Sequence, residues 1–166
     1  MKERGKEHIR RHNLEVRLVI GGIPIYATKD WSYICFVGDL DVCTDGTGDH
    51  HGDYTPLDTT AYNPYLNADV DRYIVIPPQI RMEPDPVVLG CQGKVTRLDQ
   101  GKHYAGVIGE IGPNTKVGEC AICLAQMLNP EVGANEGDSR TIYFYEMWPG
   151  KAAHVDGKVY KLQPAG

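Results

Sequence analysis

Glycine and proline interrupt this chain so often that long regular helices have little room. Nineteen Gly and eleven Pro are spread through 166 residues. Between them stand short runs rich in β-branched and aromatic residues, the pattern of strands separated by turns. EVRLVI and IPIYAT, joined by Gly21-Gly22, read as a hairpin. Residues 32–37 (SYICFV), 73–76 (YIVI, stopped by Pro77-Pro78), 87–89, 94–97, 104–111 and 141–148 (TIYFYEMW) are further strand candidates, and 158–162 is a last short one. The glycines within 104–111 predict a close backbone approach or a bulge. One segment, 117–128 (VGECAICLAQML), carries apolar residues at helical spacing and ends at Asn129-Pro130. Seven or so strands with one helix predict a mainly β fold, a small barrel with a capping helix.

The length fits one domain, read as residues 14–166 behind a charged N-terminal arm, 1–13. The arm carries Lys2, Arg4, Lys6, Arg10 and Arg11 against Glu3 and Glu7, and is expected to be mobile or ordered by a protein partner. The whole chain is at −5, with 17 Lys and Arg against 22 Asp and Glu. The body behind the arm is therefore at −8. That balance argues against nucleic acid and suits a cationic ligand. No apolar run is long enough for a membrane span. The basic start leads into Glu15, Arg17 and Gly21-Gly22, so no signal peptide is expected. The five cysteines are expected as free thiols. Cys120 and Cys123 have metal-ligand spacing but no second pair to complete a zinc site, so no metal or cofactor is expected.

Three groups of residues could carry chemistry. Glu110, near the end of a Gly-rich strand, and Glu119, in the expected first helical turn, are one tight turn apart. Paired carboxyl groups are what glycosidic cleavage needs, one to protonate the leaving oxygen and one to activate water or attack the sugar. Residues 38–69 form a long polar stretch, read as a functional loop region, with Asp39, Asp41, Asp45, Asp49, His50, His51 and Asp53 at spacings that do not fit an EF-hand. Ten Tyr against two Phe is a skew toward amphipathic rings. Tyr54, Tyr62, Tyr65 and Trp148 could form a sugar-stacking wall.

The order of four motifs resembles the fungal-type chitosanases, glycoside hydrolase family seventy-five. They are Asp39-Leu-Asp-Val-Cys-Thr-Asp-Gly46, Tyr73-Ile-Val-Ile-Pro77, Gly109-Glu-Ile-Gly-Pro113 and Val117-Gly-Glu-Cys-Ala-Ile-Cys-Leu-Ala125, within residues 20–150. The resemblance implies a six- to seven-stranded double-psi β-barrel and an inverting endo-glycosidase acting on a β-1,4-linked amino-sugar polymer. It places the two essential acids on Glu110, where the family has Asp, and on Glu119. Glu119 is expected as general acid and Glu110 as base. Asp39, Asp41, Asp45, Tyr54, Tyr62 and Trp148 are expected to bind substrate. The rival reading is a non-catalytic sugar-binding or structural module of a larger assembly, such as a phage virion or tail. A peptidoglycan-degrading enzyme is a further alternative. Family members are typically secreted. Without a signal, release by lysis or carriage on a particle is expected.

Overall fold

The computed structural model describes residues 2–45, 66–81 and 88–163. Gly21 and Gly22, at φ +55° and +79°, turn strand β1 (Glu15–Ile20) back onto β2 (Ile23–Ala27), with Ile20 opposite Ile23. Only residues tolerant of positive φ make this two-residue turn, which is why the Gly-Gly pair was legible. β2 hands on to β3 (Ile34–Cys43), a ten-residue strand that opens the barrel proper.

The barrel is completed by β4 (Tyr73–Ile76), β5 (Cys91–Arg97), β6 (Lys102–Ile111), β7 (Glu119–Ala121) and β8 (Asp138–Ala152). Around it the order is β3-β7-β4-β6-β5-β8, and β8 pairs back onto β3 to close the sheet. The β3–β7 and β4–β6 pairs are parallel and the other four antiparallel. The fold is thus a mainly β, closed six-stranded mixed barrel with extra strands and few helices. β9 (His154–Val155) and β10 (Lys158–Val159) make a small separate hairpin.

A six-stranded barrel is too narrow to enclose a channel, so alternate side chains fill it. Phe36 stacks on Tyr145 at 4.9 Å between ring centroids. Leu40, Ile74, Ile76, Val95, Ile108, Cys120, Tyr143 and Met147 complete the interior. A second apolar cluster lies on the outer side of β3, β7, β4 and β6. It holds Cys43, Tyr73, Val75, Val107 and Ala121, covered by Leu66, Ala68 and the β9–β10 hairpin.

Two expectations need correction. The helix predicted over 117–128 begins only at Ile122: α3 is Ile122–Leu128, after α1 (Lys2–Arg11) and α2 (Pro78–Arg81). Upstream, Gly118 has φ +94°, and Cys120 and Ala121 pair with Val42 and Cys43. Filling the gap between β3 and β4 with backbone hydrogen bonds outweighs helical propensity there. The apolar stripe is still buried, with Leu124, Ala125 and Leu128 on α3 and Val117 and Ala121 before it. The arm is the second correction. Residues 2–11 form α1, whose His8 Nε2 lies 3.0 Å from the Tyr33 hydroxyl and whose Ile9 packs against the barrel wall.

Smaller differences concern the strand candidates and the long polar stretch. Val88 and Leu89 are buried without joining a strand, and Val87 lies outside the described residues. Residues 38–43, read as the start of a polar loop, belong to β3. Positions 46–65 of that stretch lie outside the described residues.

Candidate active site

Sheet register brings the sequence-predicted acids together. Asp41 on β3 is opposite Glu119 on β7, Glu119 is opposite Val75 on β4, and Val75 is opposite Glu110 on β6. Directly paired residues project to the same face. All four therefore face outward, since the neighbouring Ile74, Ile108 and Cys120 point into the core. Two strand spacings separate the Glu110 and Glu119 backbones, about 10 Å.

A bulge aims Glu110. Ile74 pairs with Ile108, yet Val75 pairs with Glu110, so Gly109 is an extra residue on β6. Without it, alternation would send Glu110 into the apolar interior with Ile108. Gly109 is also a place where no side chain fits, because Leu66 lies against its backbone. The glycine signal in 104–111 therefore marks a real bulge.

Glu110 is 5% exposed. Its Oε1 accepts the Ile111 N–H at 3.1 Å, and its Oε2 is buried with no hydrogen-bond partner among the described residues. Burial pushes its carboxyl up to about 8. The Ile111 N–H opposes this, while the nearby Asp45 and Glu119 carboxylates add to it. Glu119 is half-buried, and burial raises it too, but here a cation answers. Lys116 draws it only part of the way back, with help from the Cys43 thiol and against Asp41 and Asp45, so the carboxyl stays above its ordinary value. The two carboxyl groups thus differ in what holds them.

Asp45 completes the cluster beside Glu110 and Glu119. Its carbonyl lies 3.1 Å from the Tyr73 hydroxyl, which is also 3.3 Å from Cys43 Sγ. Burial pushes the Cys43 thiol up to about 12, so it is a protonated neighbour and not a nucleophile. Cys43 and Tyr73 were not singled out as site residues. The available signal was strand alternation, with Cys43 two residues from Asp41 and Tyr73 two residues from Val75.

Asp41 is held by Lys116, with Nζ 3.0 Å from Oδ2. Asp39 is exposed, at an irregularity where β3 shifts register against β8. Together with Lys116, Thr115, Ser139 and Thr141 it lines a cavity of about 430 Å³ whose other walls include Ile20, Ile23 and Val117. Burial and the Asp41 charge raise the Asp39 carboxyl.

Trp148 does not join this group. It lies on β8, on the opposite wall of the barrel from β4, with its ring 5.5 Å from that of Tyr33 under α1. Tyr54, Tyr62, Tyr65, Asp49, His50, His51 and Asp53 lie outside the described residues. The five cysteines are free thiols. Cys120 belongs to the barrel interior and Cys123 packs against the outer cluster. Among the described residues no three His, Cys, Asp or Glu side chains are grouped to hold a metal ion. No described helix is long and apolar enough to cross a membrane.

Comparison with protein-family models and with curated proteins finds no match for this chain. A carboxyl pushed up by burial and a second with a cation nearby, about 10 Å apart in backbone and on one face, could act as an acid and a base on a bond held between them.

Proposed function

We propose that the chain is an inverting endo-glycosidase acting on a β-1,4-linked amino-sugar polymer such as chitosan. The observation that carries this reading is the pairing of Glu110 and Glu119 on either side of Val75. Standing two strands apart on one face, the pair flanks a gap in which a bond could be held; inversion requires about 6.5–9.5 Å between the carboxyl groups. The difference in their surroundings favours roles opposite to the sequence expectation. Glu110, buried and without a cation, is the general acid. Glu119, served by Lys116 and standing on a strand instead of a helix N-terminus, is the base.

In the reaction, the Glu110 proton passes to the glycosidic oxygen as its bond to the anomeric carbon breaks. Glu119 takes a proton from water, whose oxygen attacks that carbon from the opposite face. One water is consumed, and proton exchange with solvent resets the pair. Asp39, Asp41 and Asp45 would supply negative charge to the polymer's ammonium groups.

One observation favours a second reading, a non-catalytic sugar-binding or structural module of a larger assembly such as a virion. Glu110 is only 5% exposed, so its carboxyl is not open to solvent. In that reading the exposed Lys6, Arg10 and Arg11 of α1 offer a surface to a protein partner. The test is reducing-end release from chitosan by the wild type, Glu110→Gln and Glu119→Gln. The glycosidase reading expects release by the wild type and a loss of about 10²-fold or more in each variant. No release by any folded protein, on chitosan or on peptidoglycan, would overturn it in favour of the module.

A further inference from the structure

The two carboxyl groups of the site sit in similar strand positions, yet among the described residues a cation, Lys116, weighs on Glu119 while the charged groups that weigh on Glu110 are carboxylates. Lys116 lies in the connection from β6 to β7, three residues before Glu119. That connection is fastened to β3. Gly118 O accepts the Asp41 N–H at 2.7 Å, and a Cβ on Gly118 would stand 2.8 Å from the Asp39 carbonyl. The close crossing, possible only for a residue without a side chain at φ +94°, sets the Lys116 ammonium 3.0 Å from Asp41. Asp41 is in turn the register partner of Glu119. The Lys116–Asp41 pair is well exposed, at 49% and 37%, so it contributes little to stability. Its place beside the site is better explained by what it does to Glu119.

We infer that Lys116 is a positioning residue, anchored by Asp41, that sets its ammonium beside Glu119 and so favours Glu119 over Glu110 as the base of the pair. The inference rests on the catalytic reading of the pair, but the electrostatic part of it can be measured without substrate. The charged and titratable groups that face Glu119 are Asp41, Cys43 and Asp45 from β3 and its following residues, Glu110 from β6, and Lys116 itself. Val75 of β4, between the two glutamates, is apolar. Every acid in that set disfavours the ionised form of Glu119. Lys116 is the cation among those neighbours, and its removal leaves the acids unopposed. Around Glu110 the strongest charged influences are the carboxylates Asp45 and Glu119, so the same removal should leave Glu110 nearly where it was.

The experiment is a carboxyl titration by ¹³C NMR of glutamate-labelled wild type, Lys116→Met and Lys116→Arg. It is paired with the pH profile of chitosan hydrolysis at low and high salt. The expected result is a rise of about 1 pH unit in the Glu119 midpoint in Lys116→Met, with restoration in Lys116→Arg. The Glu110 midpoint stays put. The acidic limb of the activity profile moves up with Glu119, and the difference shrinks at about 1 M salt. An unmoved Glu119 midpoint in folded Lys116→Met overturns the inference, and Lys116→Gln gives the same reading should the methionine variant misfold. The two claims fail separately. A shifted midpoint in a protein that releases no reducing ends removes the glycosidase reading and leaves the lysine effect standing. Hydrolysis with an unmoved midpoint removes the lysine and leaves the glycosidase.

Discussion

Asp138 and Glu110 are both buried carboxyl groups on strands of one barrel, and the fold treats them in opposite ways. Asp138, at the start of β8, is surrounded by donors. Tyr143 Oη donates at 2.6 Å, Asn129 Nδ2 at 3.0 Å, and the Arg140 and Thr141 N–H groups at 3.0 and 3.1 Å. Burial works against its charge, but these hydrogen bonds outweigh burial and hold it well below the usual carboxylate range. Glu110 has one backbone donor, an orphaned buried oxygen and two carboxylate neighbours, and burial wins. Asp138 ties Asn129, which caps α3, to the closing strand of the barrel. A carboxyl kept for stability is given its partners; one left without them costs stability and points to chemistry.

The comparison breaks first if Asp138 can be removed cheaply. Asp138→Ala leaves the Tyr143 hydroxyl and the Asn129 amide without their acceptor, and is expected to destabilise by about 3 kcal/mol or more in urea unfolding at pH 7. Because its folded value lies below the unfolded one, this stability is present above the ordinary carboxylate range and is lost as pH falls. A change within 1 kcal/mol would show that the network carries little.

Glu110→Gln sharpens the contrast, because the sign reverses. Its carboxyl is raised in the fold, so its contribution is intact below the unfolded value near 4.5 and is lost as pH rises through about 8. Unfolding at pH 5 and pH 9 should show the variant gaining on the wild type at the higher pH, on the order of 3 kcal/mol. Equal pH dependence of the two proteins would mean that Glu110 is ionised in the fold at neutral pH.

A smaller effect separates the two walls of the barrel. Trp148→Ala removes a half-buried ring from the Tyr33 contact under α1 and should cost about 1–2 kcal/mol of stability. On the proposed glycosidase reading the chitosan KM should not change, since β4 and β8 stand on opposite sides. A large rise in KM would bring Trp148 back to the substrate.

Much of the barrel was legible because its signals are local. The Gly21-Gly22 turn, the YIVI run and the glycines before Glu110 each act through their own backbone. The helix start was not legible, since Cys120 and Ala121 are drawn into β7 by strands about 45 and 80 residues earlier in the chain. The same holds within the site. Glu110 and Glu119 could be paired from sequence because one turn joins them. What distinguishes the two carboxyl groups could not be read there, because it depends on Lys116 pairing with Asp41 and on which buried oxygen lacks a partner among the described residues. Trp148 looked like a stacking residue by type alone, and type carries no information about which wall a strand occupies.

The central claim is that Glu110 holds its proton to higher pH than Glu119 beside it. Titration of the Glu110 and Glu119 side-chain carboxyls in the glutamate-labelled wild type, followed by ¹³C NMR from pH 3 to 10, measures both at once. The account predicts a Glu110 midpoint of about 8, with Glu119 titrating below it. A Glu110 midpoint in the ordinary carboxylate range, or a Glu119 midpoint above that of Glu110, would contradict it.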